Sequence, residues 1–188
     1  MDSIRNLAEL LDHVKSGKPV DYLFFWGHRE REDGSISHTC MSQWYDASFT
    51  HGDLHYATAE HFMMAGKARL FGDDEAVGRI LAVSDPGKVK AIGRTVKGYD
   101  DRVWNDHRYA IVVEGNVAKF TQNPGLQAYL LGTGNKVLVE ASPVDPVWGI
   151  GMSRDDPGAR APAQWKGTNL LGFALMEVRR RIRIGTAQ

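Results

Sequence analysis

Hydrophobic residues recur three or four positions apart in three separate parts of the chain. That separation places side chains on one face of a helix. The first stretch ends at Gly17 and Pro19, which do not favour continuation of a helix. The three sets are Ile4, Leu7, Ala8, Leu11 and Val14; Tyr109, Val112, Val113, Val117 and Phe120; and Leu171, Ala174, Leu175, Val178 and Ile182. The pattern predicts one amphipathic helix over residues 1–16, one in the middle of the chain and one near its end.

Short apolar runs between these helices predict strands. Residues 22–26, YLFFW, and residues 137–140, VLVE, are brief and rich in aromatic or branched side chains. Residues 48–50 and 54–56 flank His51-Gly52-Asp53, which suits the turn of a hairpin. These runs predict a small sheet within a mostly helical chain.

Acidic and capping residues mark further helix starts. Asp73-Asp74-Glu75 places negative charge where exposed helix amides favour it. Asp85-Pro86 and Asn123-Pro124 each combine an N-cap residue with a proline at the first helical position. Residues 151–167, GMSRDDPGARAPAQWKG, are rich in Gly, Pro and Asp and predict a long exposed loop.

Length and composition narrow the class of protein. A chain of 188 residues is long enough for one well-buried core and short for two domains. Its 23 Lys and Arg balance 23 Asp and Glu, so overall charge indicates neither nucleic acid nor an anionic membrane as the partner. The single cysteine, Cys40, excludes an internal disulfide framework, and the N-terminus lacks the pattern of a secretory signal. We therefore expect a soluble, cytoplasmic protein.

The stretch TAEHFMMAGKA, residues 58–68, contains an acid-histidine pair, Glu60-His61. In one interpretation, Thr58 caps a helix whose first-turn Glu60 suits the helix dipole. Alternatively, a carboxylate held at a helix start can serve as a catalytic acid or base. The pair alone leaves both interpretations open.

A zinc site is a third possibility, because His51 and His55 have a helical ligand spacing and Asp53 lies between them. Gly52 and Asp53 favour a turn, which would break that geometry. The chain also has no HExxH arrangement and no cysteine pair. We therefore expect no metal site here.

Two glycine-containing loops are further candidates. Residues 145–151, DPVWGIG, follow a predicted strand and suit either a pocket for a base and a sugar or a turn whose Trp148 fills the core. Residues 167–172, GTNLLG, precede the last helix, where Thr168 or Asn169 could cap the helix or its free amides could bind phosphate. The glycine spacing matches neither a Rossmann fingerprint nor a P-loop.

Nucleophile chemistry finds no support in the sequence. The serines lie in no GxSxG motif, and Cys40 has no local signature of a thiol enzyme. Carboxylate chemistry is therefore the leading candidate. The arginines at 179–181 and 183 suit the C-terminal end of a solvated helix better than a nucleic-acid patch.

Three segments, taken in order, resemble the YbiA-like family, also called NADAR for its association with NAD and ADP-ribose. They are TAEHFMMAGKA, LVEASPVDPVWGIG and KGTNLLGFALMEVR, and the resemblance covers roughly residues 41–182. The matching positions are Glu60, His61, Phe62, Ala65 and Lys67; Asp145, Trp148, Gly149 and Gly151; and Gly167, Asn169, Leu171, Gly172, Leu175, Met176 and Arg179. Trp104 and Lys119-Phe120 also fall where the family has a tryptophan and a Lys-Phe pair.

The resemblance implies a fold and a reaction. The fold is α+β, a single compact and mostly helical domain over residues 1–188 around a small antiparallel sheet, with residues 1–18 as an N-terminal helical extension. The reaction is hydrolysis of an N-glycosidic bond, either in ADP-ribosylated guanine, free or in nucleic acid, or in ribose phosphate intermediates of the riboflavin pathway. No metal or redox cofactor is expected.

The resemblance also implies roles for particular residues. Glu60 and Asp145 are the predicted catalytic carboxylates. The predicted substrate-binding residues are Gln43, Trp44, Lys67, Trp104, Trp148, Gly149 and Asn169. Gln43 stands where the family usually has asparagine, and Ala59 where it usually has serine, so the substrate stays open. The alternative is a module that binds ADP-ribose or NAD without cleaving it, which would not need the Glu60 carboxylate.

Overall fold

A computed structural model describes residues 4–186, so residues 1–3 of the predicted extension lie outside the described residues. The helices are α1 (Leu7–Lys15), α2 (Ala59–Leu70), α3 (Asp74–Leu81), α4 (Pro86–Gly93), α5 (Asp101–Gln122), α6 (Pro124–Gly132) and α7 (Leu170–Thr186). The strands are β1 (Tyr22–Phe25), β2 (Phe49–His51), β3 (Leu54–Tyr56) and β4 (Val137–Glu140). Short 3-10 turns cover His38–Met41 and Pro162–Gln164. The chain divides into two units, residues 43–124 and the segments on either side.

The unit built from the flanking segments contains a parallel strand pair. β1 runs beside β4 with Tyr22 opposite Val137 and Phe25 opposite Glu140. The first three residues of β4 have no exposed surface, as expected for a strand covered on both faces. The apolar stripe predicted for the last helix is buried in full, and α7 packs on β4. The prediction of that helix and of both strands is confirmed.

The N-terminal helix is confirmed in part of its predicted range. Its first helical residue is Leu7, because Asn6 has extended backbone and its side chain accepts the Glu9 amide. Leu10 is completely buried, and Ile4, which precedes the helix, is also buried.

The unit of residues 43–124 surrounds helix α2. The antiparallel hairpin of β2 and β3 has Gly52 in the left-handed conformation, φ +59°, and confirms the predicted turn. Helix α2 packs against α3, α4, α5 and β3. A Cβ atom at Gly115 of α5 would lie 2.5 Å from the Phe62 ring, so these two helices approach closely only because residue 115 is glycine.

Three details of the structure differ from the sequence predictions. The β1–β4 pair is parallel, whereas we expected an antiparallel sheet; the long intervening chain supplies the crossover that parallel strands need. The predicted exposed loop at 151–167 buries Ala159, whose carbonyl accepts the Trp165 indole N–H at 2.8 Å. Pro124 begins α6 as predicted. The side chain of Asn123, which we expected to cap the start of α6, instead donates to the Lys119 carbonyl at the end of α5.

Within residues 4–186, no helix combines the length and apolarity needed to cross a membrane.

Candidate functional site

Glu60 lies in the first turn of α2 and is only 2% exposed. Its backbone amide donates to the Gln43 carbonyl at 2.9 Å, which fixes the start of the helix. Negative charge is favoured near a helix N-terminus, but a glutamate that served only this purpose could remain in solvent. Burial of a carboxylate is costly to stability and is typical of sites that use the charge.

His61, beside Glu60, is held as a neutral imidazole. Its Nε2 lies 2.7 Å from the Val83 carbonyl, which can only accept, so Nε2 carries the hydrogen. Its Nδ1 then accepts from the Thr58 hydroxyl at 2.8 Å. Burial lowers the pKa of His61, against smaller opposing effects of the Val83 hydrogen bond and of Asp85. His61 therefore joins the helix start to the Val83 carbonyl, and its lowered pKa favours the neutral imidazole.

The Thr58 side chain does not cap α2 through a hydrogen bond. Its backbone is extended, as in an N-cap residue, but its hydroxyl bonds to His61. The interpretation of Thr58 as the boundary is correct, whereas the expected side-chain cap is absent because the imidazole takes the hydroxyl.

Gln43 joins this helix start to α5. It is 8% exposed, and its side-chain oxygen accepts from the Asn116 amide at 2.8 Å. Asn116 is completely buried and also donates to the Val112 carbonyl at 2.8 Å. The sequence prediction missed Asn116. Its position inside an apolar stripe, four residues after Val112 and four before Phe120, indicates a buried polar residue.

Lys119 is a second buried polar residue of α5. It has no exposed surface, and its Nζ lies 5.6 Å from the centre of the Tyr45 ring and 5.3 Å from that of Phe120. A buried ammonium over aromatic faces is stabilised by their negative electrostatic potential. The sequence indicated this residue only through the Lys-Phe pair.

Two of the predicted substrate-binding residues meet in the same unit. The Lys67 Nζ donates to the Gly93 carbonyl at 2.8 Å and lies 4.1 Å above the Tyr99 ring and 5.7 Å from the Trp104 ring. Burial lowers the pKa of Lys67, and Asp101 raises it to a smaller extent. These contacts anchor the C-terminal end of α4, so the ammonium is already engaged within the protein.

Trp44 is half-buried and its ring lies 5.8 Å from the Lys90 Nζ. A Cβ atom on Gly87 would be 3.6 Å from the edge of the same ring. The predicted contact of Trp44 with substrate stays a prediction, and the observed contacts place it against the first turn of α4.

The predicted loop in the other unit is a tight turn held by Asp145. One carboxylate oxygen accepts the amides of Val147 and Trp148, at 2.9 and 2.8 Å. Asp145 therefore has a structural role, and its predicted catalytic role stays a prediction. A Cβ atom on Gly149 would lie 2.8 Å from the Glu140 carbonyl, so that glycine allows the turn to approach β4.

Asn169 connects this turn to the free edge of β4. Its backbone amide donates to the Gly149 carbonyl at 3.0 Å, and its side chain accepts the Glu140 amide and donates to the Leu138 carbonyl, both at 2.9 Å. The residue is completely buried and has φ +55°, a conformation that asparagine tolerates better than most side chains. Both ends of its amide are thus used by the strand, and its predicted substrate contact stays a prediction.

Each unit therefore brings together part of the predicted set. In residues 43–124, Gln43 adjoins Glu60, and Lys67 adjoins Trp104. In the other unit, hydrogen bonds join the turn at Asp145, Trp148 and Gly149 to the segment at Asn169. In one of them, the Leu171 amide donates to the Trp148 carbonyl at 3.0 Å.

The predicted alternative of a zinc site has no counterpart among residues 4–186, where no three His, Cys, Asp or Glu side chains form a group able to hold a metal ion. His51 instead lies 2.9 Å from Glu114 at the surface of the hairpin.

Known proteins resemble this chain over most of its length. Residues 24–183 match the NADAR domain family model. The chain is similar to N-glycosidase R617 of Acanthamoeba polyphaga mimivirus, with 41% identity over 163 residues that cover 84% of this chain and 94% of that protein. It is also 33% identical over 138 residues to the chloroplastic riboflavin biosynthesis protein PYRR of Zea mays, covering 70% of this chain and 20% of that longer protein.

A solved structure agrees with these relationships. The NMR structure of YbiA from Escherichia coli aligns with a TM-score of 0.71 and 25% identity, over 91% of this chain and 90% of that chain. The sequence comparison with N-glycosidase YbiA from the same organism gives 31% identity over 129 residues, covering 69% of this chain and 72% of that protein. The similarity confirms the α+β class that the sequence predicted.

Proposed function

The chain belongs to the NADAR domain family, and we propose that Glu60 is the carboxylate with which it hydrolyses the bond between a ribosyl group and a base. The protein is an N-glycosidase, a hydrolase of N-glycosyl bonds, as its relatives from a mimivirus and from Escherichia coli are named. The burial of Glu60 at a fixed helix start is the observation that carries the assignment of the carboxylate.

Hydrolysis of a ribosyl C–N bond separates charge in the transition state. The anomeric carbon becomes positive as the bond breaks, and the base leaves with the bonding electron pair. A fixed carboxylate close to that carbon stabilises the cation and can take a proton from the attacking water. The water oxygen bonds to the anomeric carbon, and a proton is delivered to the departing base. Because charge interactions strengthen where water is excluded, the burial of Glu60 suits this role.

In the turn that contains Asp145 and Trp148, the two residues have different proposed roles. One oxygen of Asp145 is engaged by two backbone amides, so we assign Asp145 to maintaining the turn. Trp148, which follows, offers an aromatic ring suited to stacking on a base. Lys67 and Asn169 make contacts within the protein, and we assign both to structure.

Two substrate classes fit the reaction. The similarity to a riboflavin biosynthesis protein supports a ribosylaminopyrimidine phosphate of that pathway. ADP-ribosylated guanine, free or in nucleic acid, offers the same combination of base, ribose and phosphate. We propose a cytoplasmic location, since a chain with a single cysteine has no internal disulfide framework, which suits a reducing compartment. Fractionation of cells that express the tagged protein tests it.

Incubation with both substrate classes, followed by mass spectrometry, tests the proposal. We expect the wild-type protein to release free base from one class, and Glu60→Gln to bind that substrate without releasing base. Glu114→Gln is a matched control, because Glu114 is a half-exposed glutamate of the same unit. Binding of ADP-ribose by wild-type protein with cleavage of neither substrate would instead indicate a binding module.

A further inference from the structure

The side-chain amides of Gln43 and Asn116 form a buried pair whose orientation is fixed by the helix backbone. Asn116 has two N–H groups, and its two hydrogen bonds, to the Val112 carbonyl and to the Gln43 side chain, use both. A flipped Asn116 would place its oxygen against the Val112 carbonyl oxygen. The nitrogen must therefore face both partners, and Gln43 must face Asn116 with its oxygen.

This orientation leaves one end of the Gln43 amide uncommitted within the described residues. The Gln43 Nε2 and the Asn116 Oδ1 are buried and have no hydrogen-bond partner among residues 4–186. Buried amide pairs that serve only structure are normally satisfied, because an unmade hydrogen bond in the interior is costly. The unused Gln43 donor is a different case, because it belongs to the residue whose backbone carbonyl accepts the amide of Glu60, the proposed catalytic carboxylate.

We propose that Asn116 is a positioning residue that acts through Gln43. It fixes the Gln43 amide beside Glu60 and leaves Nε2 as the donor for an oxygen of the substrate, such as a ribose hydroxyl. This inference rests on the proposed function and extends it to α5, a helix that contributes neither predicted carboxylate. Asn116 itself need not touch the substrate.

A double-mutant cycle tests whether Asn116 acts through Gln43. Gln43→Met removes both ends of the amide but keeps the backbone carbonyl that holds Glu60, and Asn116→Leu removes the anchor. The double variant replaces both partners of a buried polar pair with apolar side chains of similar size, so we expect its melting temperature to be close to that of the wild type. Each single variant leaves one buried amide without its partner and should melt at a lower temperature than the double variant.

The expected kinetic result is non-additive. Each single variant should lower kcat/KM by about 10-fold, and the double variant should lose no more than the worse single variant, because both changes break the same link. Independent effects would multiply to about 100-fold and would overturn the proposal that Asn116 acts through Gln43. Full activity in Gln43→Met would overturn it as well. Thr121→Val, which removes another side-chain hydrogen bond to an α5 carbonyl, is the control and should retain activity.

A readout independent of activity separates this inference from the proposed function. In ¹⁵N-labelled protein, the Gln43 side-chain amide signal, assigned by its loss in Gln43→Met, should shift or split in Asn116→Leu as the amide loses its fixed orientation. An unchanged signal would refute the positioning role. If the wild type cleaves neither substrate, the proposed function fails, and this spectrum still decides whether Asn116 orients Gln43.

Discussion

Replacing Asn169 should cost stability more than it costs chemistry. The two ends of its side-chain amide satisfy the Glu140 amide and the Leu138 carbonyl on the edge of β4 away from β1. Asn169 is completely buried, so water cannot readily replace these hydrogen bonds. The variant Asn169→Ala therefore removes the hydrogen bonds that Asn169 makes to one half-buried and one buried residue of β4.

The magnitude follows from those two groups. An unsatisfied buried donor or acceptor costs about 1–3 kcal/mol, so Asn169→Ala should lose about 2–6 kcal/mol of unfolding free energy. That is a large share of the roughly 5–15 kcal/mol that stabilises a typical domain. Asn169→Gly loses the same hydrogen bonds but accepts φ +55° without strain, so its loss should be smaller by roughly 1 kcal/mol.

Urea unfolding followed by circular dichroism measures both losses by linear extrapolation. We expect the wild type to be the most stable, followed by Asn169→Gly and then by Asn169→Ala. That order would support the structural role of the Asn169 side chain. The opposite result would be an Asn169→Ala variant whose unfolding free energy is within about 1 kcal/mol of the wild-type value but which no longer binds substrate. Asn169 would then be a ligand contact, and our account of this residue would be wrong.

Three further predictions concern the turn, the helix start and the last helix. Asp145→Asn keeps an oxygen for the two turn amides and should retain activity within about tenfold and nearly full stability, whereas Asp145→Ala should be about 1 kcal/mol less stable; a much larger activity loss in a stable Asp145→Asn would show that the charge acts in the chemistry. The pKa of His61 should lie below 6.5, the usual value for histidine, so its contribution to stability is present above that pH and falls as the pH drops. ¹⁵N NMR should show hydrogen on Nε2, and hydrogen on Nδ1 at neutral pH would contradict the assignment. Hydrogen bonding from Arg180, with Arg181 contributing, lowers the pKa of Glu177 to about 2, so Glu177→Gln should cost at most about 3 kcal/mol of stability near pH 7. The difference should shrink as the pH falls from about 5 toward 2, and an undiminished difference at pH 2 would mean that the ion pairs are not its cause.

Periodicity and capping chemistry anticipated much of the fold. Helix α7 buries the whole stripe that begins at Leu171, because helical spacing directly determines which face is apolar. The turn at Gly52 was predictable because few other residues adopt its backbone conformation easily. In contrast, the run at residues 22–25 does not encode its partner, so the parallel pairing with β4 required the three-dimensional structure.

The functional residues were predicted less completely. The sequence motifs made Glu60 a candidate, but they did not indicate that it would be buried or that the Gln43 carbonyl would accept its amide. Motifs also do not distinguish residues that contact a ligand from residues that support those contacts. The predicted substrate contacts of Lys67 and Asn169 therefore stay predictions beside the contacts that both residues make within the protein. Asn116 could have been found as a polar residue at a core position of α5.

The rate of base release by Glu60→Gln at saturating substrate tests the central claim most directly. The substitution keeps the size of the side chain and removes its charge, so we expect substrate binding and melting temperature near those of the wild type. The rate should fall by about 10²-fold or more, since the carboxylate acts on the transition state. Base release within about tenfold of the wild-type rate would show that Glu60 is a buried structural residue and that the catalytic group lies elsewhere.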